Sequence, residues 1–265
     1  MSEMFTGKDV TSVYQGEFVG REIIFLDSTT STNDRALEIG QQRPEPGGIV
    51  VVADSQTSGR GRLGRVWISP PGVNLYFTIL LNPPLPVQEA SALSLAAPVA
   101  AASAIRDFAG LEATIKWPND ILLSGKKAGG ILIEAKPREG GRSLFAVGMG
   151  INVNMRPGEL PPEIAGLATS LMAEKGAALD RRGLLGALLA SMEKTYKFLL
   201  QGNKRGLITE WIRLNSTLGR RVIVRDGKRT ISGTAEGITG QGELSLRISS
   251  GEIETIRTGD VTILK

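Results

Sequence analysis

The stretch SGRGRLGRVWISPPG, Ser58 to Gly72, decides how the fold is read. Gly59, Gly61 and Gly64 stand in the G-x-G-x-x-G order of a dinucleotide-binding turn. Such a turn runs straight into a helix whose N-terminus receives the pyrophosphate. Here the continuation is RVWISPPG, which cannot start a helix because Pro70, Pro71 and Gly72 interrupt it. No acidic residue follows at the distance a ribose contact needs, and no GxxxxGK[ST] occurs anywhere. The Rossmann and P-loop readings are therefore set aside. What remains is a glycine-rich loop carrying Arg60, Arg62 and Arg65, closed by Trp67. A solvated basic patch is the plain interpretation of such a cluster. Against it, glycines let backbone N–H groups approach an anion, and guanidiniums offer fixed forks to phosphate or carboxylate. Trp67 adds a flat apolar face.

Working outward, EIIFLD (Glu22–Asp27), GIVVVAD (Gly48–Asp54) and NLYFTILL (Asn74–Leu81) read as strands. Ser31 with Asp34 predicts the start of a helix that Gly40 would end. Glu89–Phe108 is alanine-rich with helical periodicity and a kink expected near Pro98. TIKW, DILL and AGGILIEA predict three short strands, with Ser124-Gly125 as the hairpin turn between the last two. SLFAVGMGINVN is a further strand, residues 155–167 a Pro- and Gly-rich loop, and Asp180–Leu200 and Lys204–Leu214 helices. The first twenty residues show no period. After Leu218 the pattern becomes short strands and glycine turns, with Asp226-Gly227 as a hairpin signal. The expectation is an α+β body over residues 1–217, a mixed central sheet flanked by helices, followed by a small SH3-like β-barrel over 218–265.

Composition narrows the chemistry. The 265 residues are 41% apolar and 22% charged, with a net charge of +4, ordinary for a globular protein and suited to an anionic ligand. There is no cysteine and no histidine. Disulfides, thiolate nucleophiles, the usual general base and the usual zinc site are thereby excluded. The opening MSEMFTGKDV lacks the apolar core of a secretory leader, and the most apolar stretch, Leu93–Ile105, is short and broken by Pro98. A cytoplasmic protein is the expectation.

Three further motifs place polar groups at strand ends. In Lys116-Trp117-Pro118-Asn119-Asp120, Pro118 holds Trp117 extended. The segment suits a plain strand-end turn, but also a phosphate contact by Asn119. Lys127 precedes Gly129-Gly130 within an apolar strand, where paired glycines signal close approach of a ligand or another backbone. Asn152 repeats the theme at the end of its strand.

STN (Ser31–Asn33), SQTSGRGRLGRVW (Ser55–Trp67), KWPNDILLSGKKAGGILIE (Lys116–Glu134) and GMGINVN (Gly148–Asn154) together resemble the biotin–protein ligases in order and spacing, over roughly residues 22–265. The resemblance implies a catalytic domain like that of class II aminoacyl-tRNA synthetases. It implies a two-step ligase that joins biotin to ATP as biotinyl-5′-AMP, then transfers biotin to a lysine of a biotin carboxyl carrier protein. By the same resemblance, Ser31, Thr32, Asn33, Gln56, Gly59, Arg60 and Gly130 would hold biotin. Trp67, Lys116, Asn119 and Asn152 would lie on the nucleotide side, and Lys127, Arg62 and Arg65 would carry catalysis by neutralising charge. Mg²⁺ would arrive with ATP, and no metal ligand is assigned. Ala128-Gly129 is smaller than the family's usual pair, which would loosen that strand's grip on the ligand. The segment before the core is too short for the winged helix–turn–helix of the family's regulatory members. The short form is therefore expected, without sequence-specific DNA binding, and a homodimer is left open. The glycine loop 58–65 is expected to be mobile when empty, with 155–167 as a second lid. The competing readings are a lipoate or octanoate ligase and, in another class, a non-catalytic biotin sensor or nucleic-acid-binding module.

Overall fold

The computed structural model describes residues 14–84, 91–138, 142–227 and 229–264. Seven strands form one mixed sheet: β1 (Glu22–Thr29), β2 (Ile49–Gln56), β3 (Leu75–Leu81), β4 (Thr114–Lys116), β5 (Asp120–Leu123), β6 (Lys126–Pro137) and β7 (Ser143–Ile151). Their order is β1-β2-β3-β7-β6-β5-β4. Only β1 and β2 run parallel; every other pairing is antiparallel. The apolar run LYFTILL makes β3 buried at every position, as befits a strand covered on both faces.

One face is closed by α1 (Thr32–Gln42), whose Ala36 and Ile39 pack on Ile49, Val51, Leu80, Leu144 and Ala146. Gly40 does not end this helix; it lies buried within it. A Cβ there would collide with the Leu144 side chain, so this glycine serves close helix–sheet packing instead of a cap. The other face carries α2 (Leu93–Ala109) and α4 (Arg181–Leu200), with the five-residue α3 (Leu171–Lys175) between β7 and α4 and α5 (Lys204–Leu214) following. The alanines of α2 are almost all buried, and the helix runs continuously through Pro98 to a left-handed Gly110. The expected start at Glu89 lies outside the described residues. Asp180 caps α4 by accepting from the backbone N–H groups of Arg182 (3.0 Å) and Gly183 (3.2 Å). Its Glu193 ties down the N-terminal segment, accepting from the Tyr14 hydroxyl and the Phe18 and Val19 backbone at 3.0–3.2 Å. At the start of α4, Arg181 forms a buried ion pair with Asp54 of β2 at 3.0 Å.

The tail forms a second, antiparallel sheet of β8 (Arg221–Asp226), β9 (Arg229–Ile238), β10 (Leu244–Arg247), β11 (Ile253–Ile256) and β12 (Asp260–Ile263), in the order β11-β10-β9-β8-β12. The edge strands β11 and β12 do not pair, so the expected closed barrel is an open sheet among the described residues. Trp117, fully buried, joins the two sheets: its indole N–H donates to the Gly242 carbonyl (2.8 Å), and its backbone N–H to the Thr217 hydroxyl (2.9 Å). No helix among the described residues is long and apolar enough to cross a membrane.

Candidate active site

The site lies where the carboxyl ends of the parallel pair β1 and β2 meet the N-terminus of α1. Ser31 occupies the N-cap position, but its hydroxyl makes no capping bond. Thr32 points its backbone N–H and hydroxyl at Gln56 Oε1 (2.9 and 3.2 Å), and Gln56 Nε2 donates to Ser69 Oγ (2.9 Å). The Thr78 hydroxyl donates to Asn33 Oδ1 (2.6 Å) and lies 2.9 Å from Thr32 Oγ1. Asn33 Nδ2 donates to Glu134 Oε2 (2.6 Å). This polar end is buried and internally satisfied, which fixes the direction of each donor and acceptor.

Beside it the sheet offers a floor without side chains. Gly130 and Gly150 are register partners on β6 and β7, and the Trp67 ring lies directly on them. A Cβ on Gly150 would stand 2.5 Å from the indole, and one on Gly130 3.2 Å. Gly129 answers to another backbone: a Cβ there would meet the Gly150 carbonyl at 3.1 Å and Ile151 at 2.7 Å. Ala128 beside it is fully buried. Among the described residues the buried Trp67 indole N–H has no hydrogen-bond partner, an unmet donor above the glycine floor. Lys127 Nζ sits 5.3 Å from the Trp67 ring centroid and pairs with Asp120 Oδ1 at 2.5 Å, while Lys116 approaches Asp120 Oδ2 at 3.8 Å.

The arginine loop is an ordered hairpin. Trp67 N–H donates to the Gly59 carbonyl (2.8 Å) and Gly61 N–H to the Arg65 carbonyl (2.7 Å), with a single 3₁₀ turn at Arg62–Gly64. Each guanidinium has a partner. Arg60 forks onto Asp34, both bonds 2.6 Å, and touches Glu134 at 3.3 Å. Arg62 donates to the Thr258 hydroxyl (2.6 Å) and the Gly259 carbonyl (3.3 Å); Arg65 pairs with Asp260. The contacts that tie residues 58–65 to α1, β6 and the second sheet are polar ones.

Arg60's hydrogen bonds hold the Asp34 carboxyl below the usual carboxylate range, and those same bonds raise Arg60's own pKa. A depressed carboxylate pKa means that the pair contributes fully above the ordinary value near ~3.9 and is lost as pH falls through the lowered one. A carboxyl-carbon NMR titration should place Asp34 below the ordinary aspartate value in the intact protein and return it there in Arg60→Ala. Identical titrations in both proteins would remove the latch.

The amides of Asn119 and Asn152, expected on the nucleotide side, bond to backbone carbonyls of the protein. Asn119 Nδ2 donates to the Ile131 carbonyl (2.6 Å), and Asn152 Nδ2 to the Thr169 carbonyl (3.0 Å). Asn152 holds the 167–171 segment alongside Lys127, whose backbone N–H and C=O pair with Leu167 and Thr169, both at 2.9 Å. Sequence reasoning placed Asp120 at a strand mouth without counting it in the site. It missed Ser69, Thr78, Glu134, Thr258 and Asp260 altogether. Asp120 stood next to Asn119, four residues from Lys116, and that spacing could have signalled a shared ion pair. The others carry no local signal.

A chain of contacts thus runs from Thr32 through Gln56, Ser69 and Trp67 to Gly150, Lys127 and Asp120. A mixed sheet that ends in a buried polar cluster, a glycine floor and a cation is the arrangement to compare with known proteins. Residues 25–154 match the Biotin/lipoate A/B protein ligase family, and residues 217–264 the biotin protein ligase C-terminal domain. The bifunctional ligase/repressor BirA of Bacillus subtilis is 36% identical over 93% of this chain and 75% of its own length. The biotin–[acetyl-CoA-carboxylase] ligase of Paracoccus denitrificans is 34% identical over 85% of this chain and 94% of its own. The biotin protein ligase of Aquifex aeolicus, solved with biotin and ATP, superposes with a TM-score of 0.77 at 30% identity, over 92% of this chain and 99% of that one. The chain belongs to the biotin protein ligases.

Proposed function

We propose that this enzyme joins biotin to ATP and passes it to a lysine of a biotin carboxyl carrier protein. In the first step a biotin carboxylate oxygen attacks the α-phosphorus, the bond to the β-phosphate bridging oxygen breaks, and pyrophosphate leaves. In the second, the acceptor's ε-amine attacks the acyl carbon of biotinyl-5′-AMP, the acyl–oxygen bond breaks, AMP departs, and the amine loses its proton. The observation that carries this reading is Lys127 poised beside the Trp67 ring and Gly130, at the far end of the contact chain that starts at Thr32 and Gln56.

Each group has a job matched to its surroundings. Ser31, Thr32, Asn33 and Gln56 present a fixed pattern of donors and acceptors to the ureido ring. Gly130 and Gly150 let the Trp67 indole lie against the sheet backbone as one wall of the site, and Gly59 with Arg60 closes the loop over the biotin ring. Lys127 neutralises the carboxylate and α-phosphate as they are brought together, with Arg62 and Arg65 on the phosphates. A closed loop also shields the mixed anhydride from water.

Mg²⁺ neutralises triphosphate charge when bound. Among the described residues no group of three or more acidic side chains could hold a metal, and Asp120 is engaged by two lysines. In this reading Mg²⁺ arrives with the nucleotide and is held by its phosphates and water. The number and shortness of the tail strands support a SH3-like ancestry, with the unit divided from the body near residue 217. The match to the biotin protein ligase C-terminal domain favours biotin over lipoate. Incubation with labelled ATP, Mg²⁺ and either acid should release pyrophosphate with biotin and not with lipoate; the reverse preference would overturn the assignment.

A further inference from the structure

The three loop arginines are held in chemically different ways. Arg60 is neutralised by two carboxylates, and Arg65 by Asp260. Arg62 is oriented by two neutral oxygens, Thr258 Oγ1 and the Gly259 carbonyl, and no carboxylate reaches salt-bridge distance of it among the described residues. Burial pushes its pKa down, while Asp260 and Asp120 act only from further away. A partly buried cation fixed by neutral acceptors keeps its charge available to an incoming anion. The turn that supplies those acceptors is firmly seated. Gly259 adopts φ +141°, and a Cβ on it would meet Val224 and the Arg225 carbonyl of β8 at 2.8–2.9 Å.

We infer that the second sheet completes the anion site, with Thr258 as the positioning residue that aims Arg62 at the nucleotide's phosphates. The inference rests on the proposed ATP-dependent reaction for the identity of the anion. It adds that the tail, 196 positions away in sequence, builds part of the phosphate site. Thr258 touches no substrate; it acts through Arg62.

Thr258→Val keeps the shape and removes the hydroxyl, whereas Thr258→Ser keeps the hydroxyl. By calorimetric titration, Thr258→Val should bind ATP about five- to tenfold more weakly, because Arg62 is no longer preorganised. Thr258→Ser should bind within about twofold of the parent protein. The KM for biotin and the melting temperature should be unchanged in both. Parent-like ATP binding by Thr258→Val would overturn the inference, and so would equal losses in the two variants. Weaker ATP binding accompanied by a lowered melting temperature in Thr258→Val would show a docking contact only, and would also overturn it. Should the parent protein bind ATP yet release no pyrophosphate with biotin, the proposed reaction fails while the ATP titrations still decide Thr258. If it binds no ATP, both fail.

Discussion

Lys127→Ala is expected to slow biotin-dependent pyrophosphate release by about 10²–10³-fold, the usual effect of losing one preorganised charge-stabilising donor. The reaction must bring a carboxylate and a triphosphate into contact, and their repulsion is strongest where water has been displaced. In the proposed reaction the Lys127 ammonium stands at that point, and its ion pair with Asp120 at 2.5 Å orients it. Removing it also uncovers the Asp120 carboxylate, which then faces the phosphates with only Lys116 at 3.8 Å to offset it. The loss should therefore fall mainly on kcat, and Lys127→Ala with Asp120→Ala should recover part of it. Single-turnover measurement of adenylate formation at saturating ATP tests this, and an unchanged rate would take Lys127 out of the chemistry.

The second large effect concerns stability. Arg181 and Asp54 are only 6% and 12% exposed at the side chain, and Asp54 also accepts from the Gly72 backbone at 3.0 Å. Arg181 donates in addition to the Asn74 carbonyl at 3.1 Å. Removing one member of a buried pair strands the other, at a cost of about 3–5 kcal/mol. Arg181→Met should lower stability by about that amount in urea denaturation and reduce the melting temperature by roughly 2–4 °C per kcal/mol. A change below about 1 kcal/mol would mean that water reaches the stranded carboxylate.

Much of the architecture was legible because it depends on neighbours in sequence. The continuous apolar run of β3, the Ser124-Gly125 turn (φ +48° and +77°), and the Asp180 cap of α4 all follow from local rules. Gly40 was misread for the converse reason. A glycine near the end of a helical pattern looks like a stop, and only the facing Leu144, more than a hundred residues on, reveals its packing role. Closure of the tail depends on whether β11 and β12 find a common register, which strand periodicity does not encode. The site motifs located Lys127, Gln56 and the arginine loop on their elements. What each arginine touches was hidden, since Asp34, Glu134, Thr258 and Asp260 come from three other elements and a turn.

Trp117 carries one more consequence. Its indole is sealed by Gly242 and its main chain by Thr217, yet it sits in the segment that leads directly to Asn119 and Asp120. The two sheets are therefore distinct in topology but joined through one buried indole. Removing the tail from residue 218 onward would take the Gly242 carbonyl from the Trp117 indole and leave its main-chain bond to Thr217 in place, so the smaller unit seals one end of the segment that leads to Asn119 and Asp120.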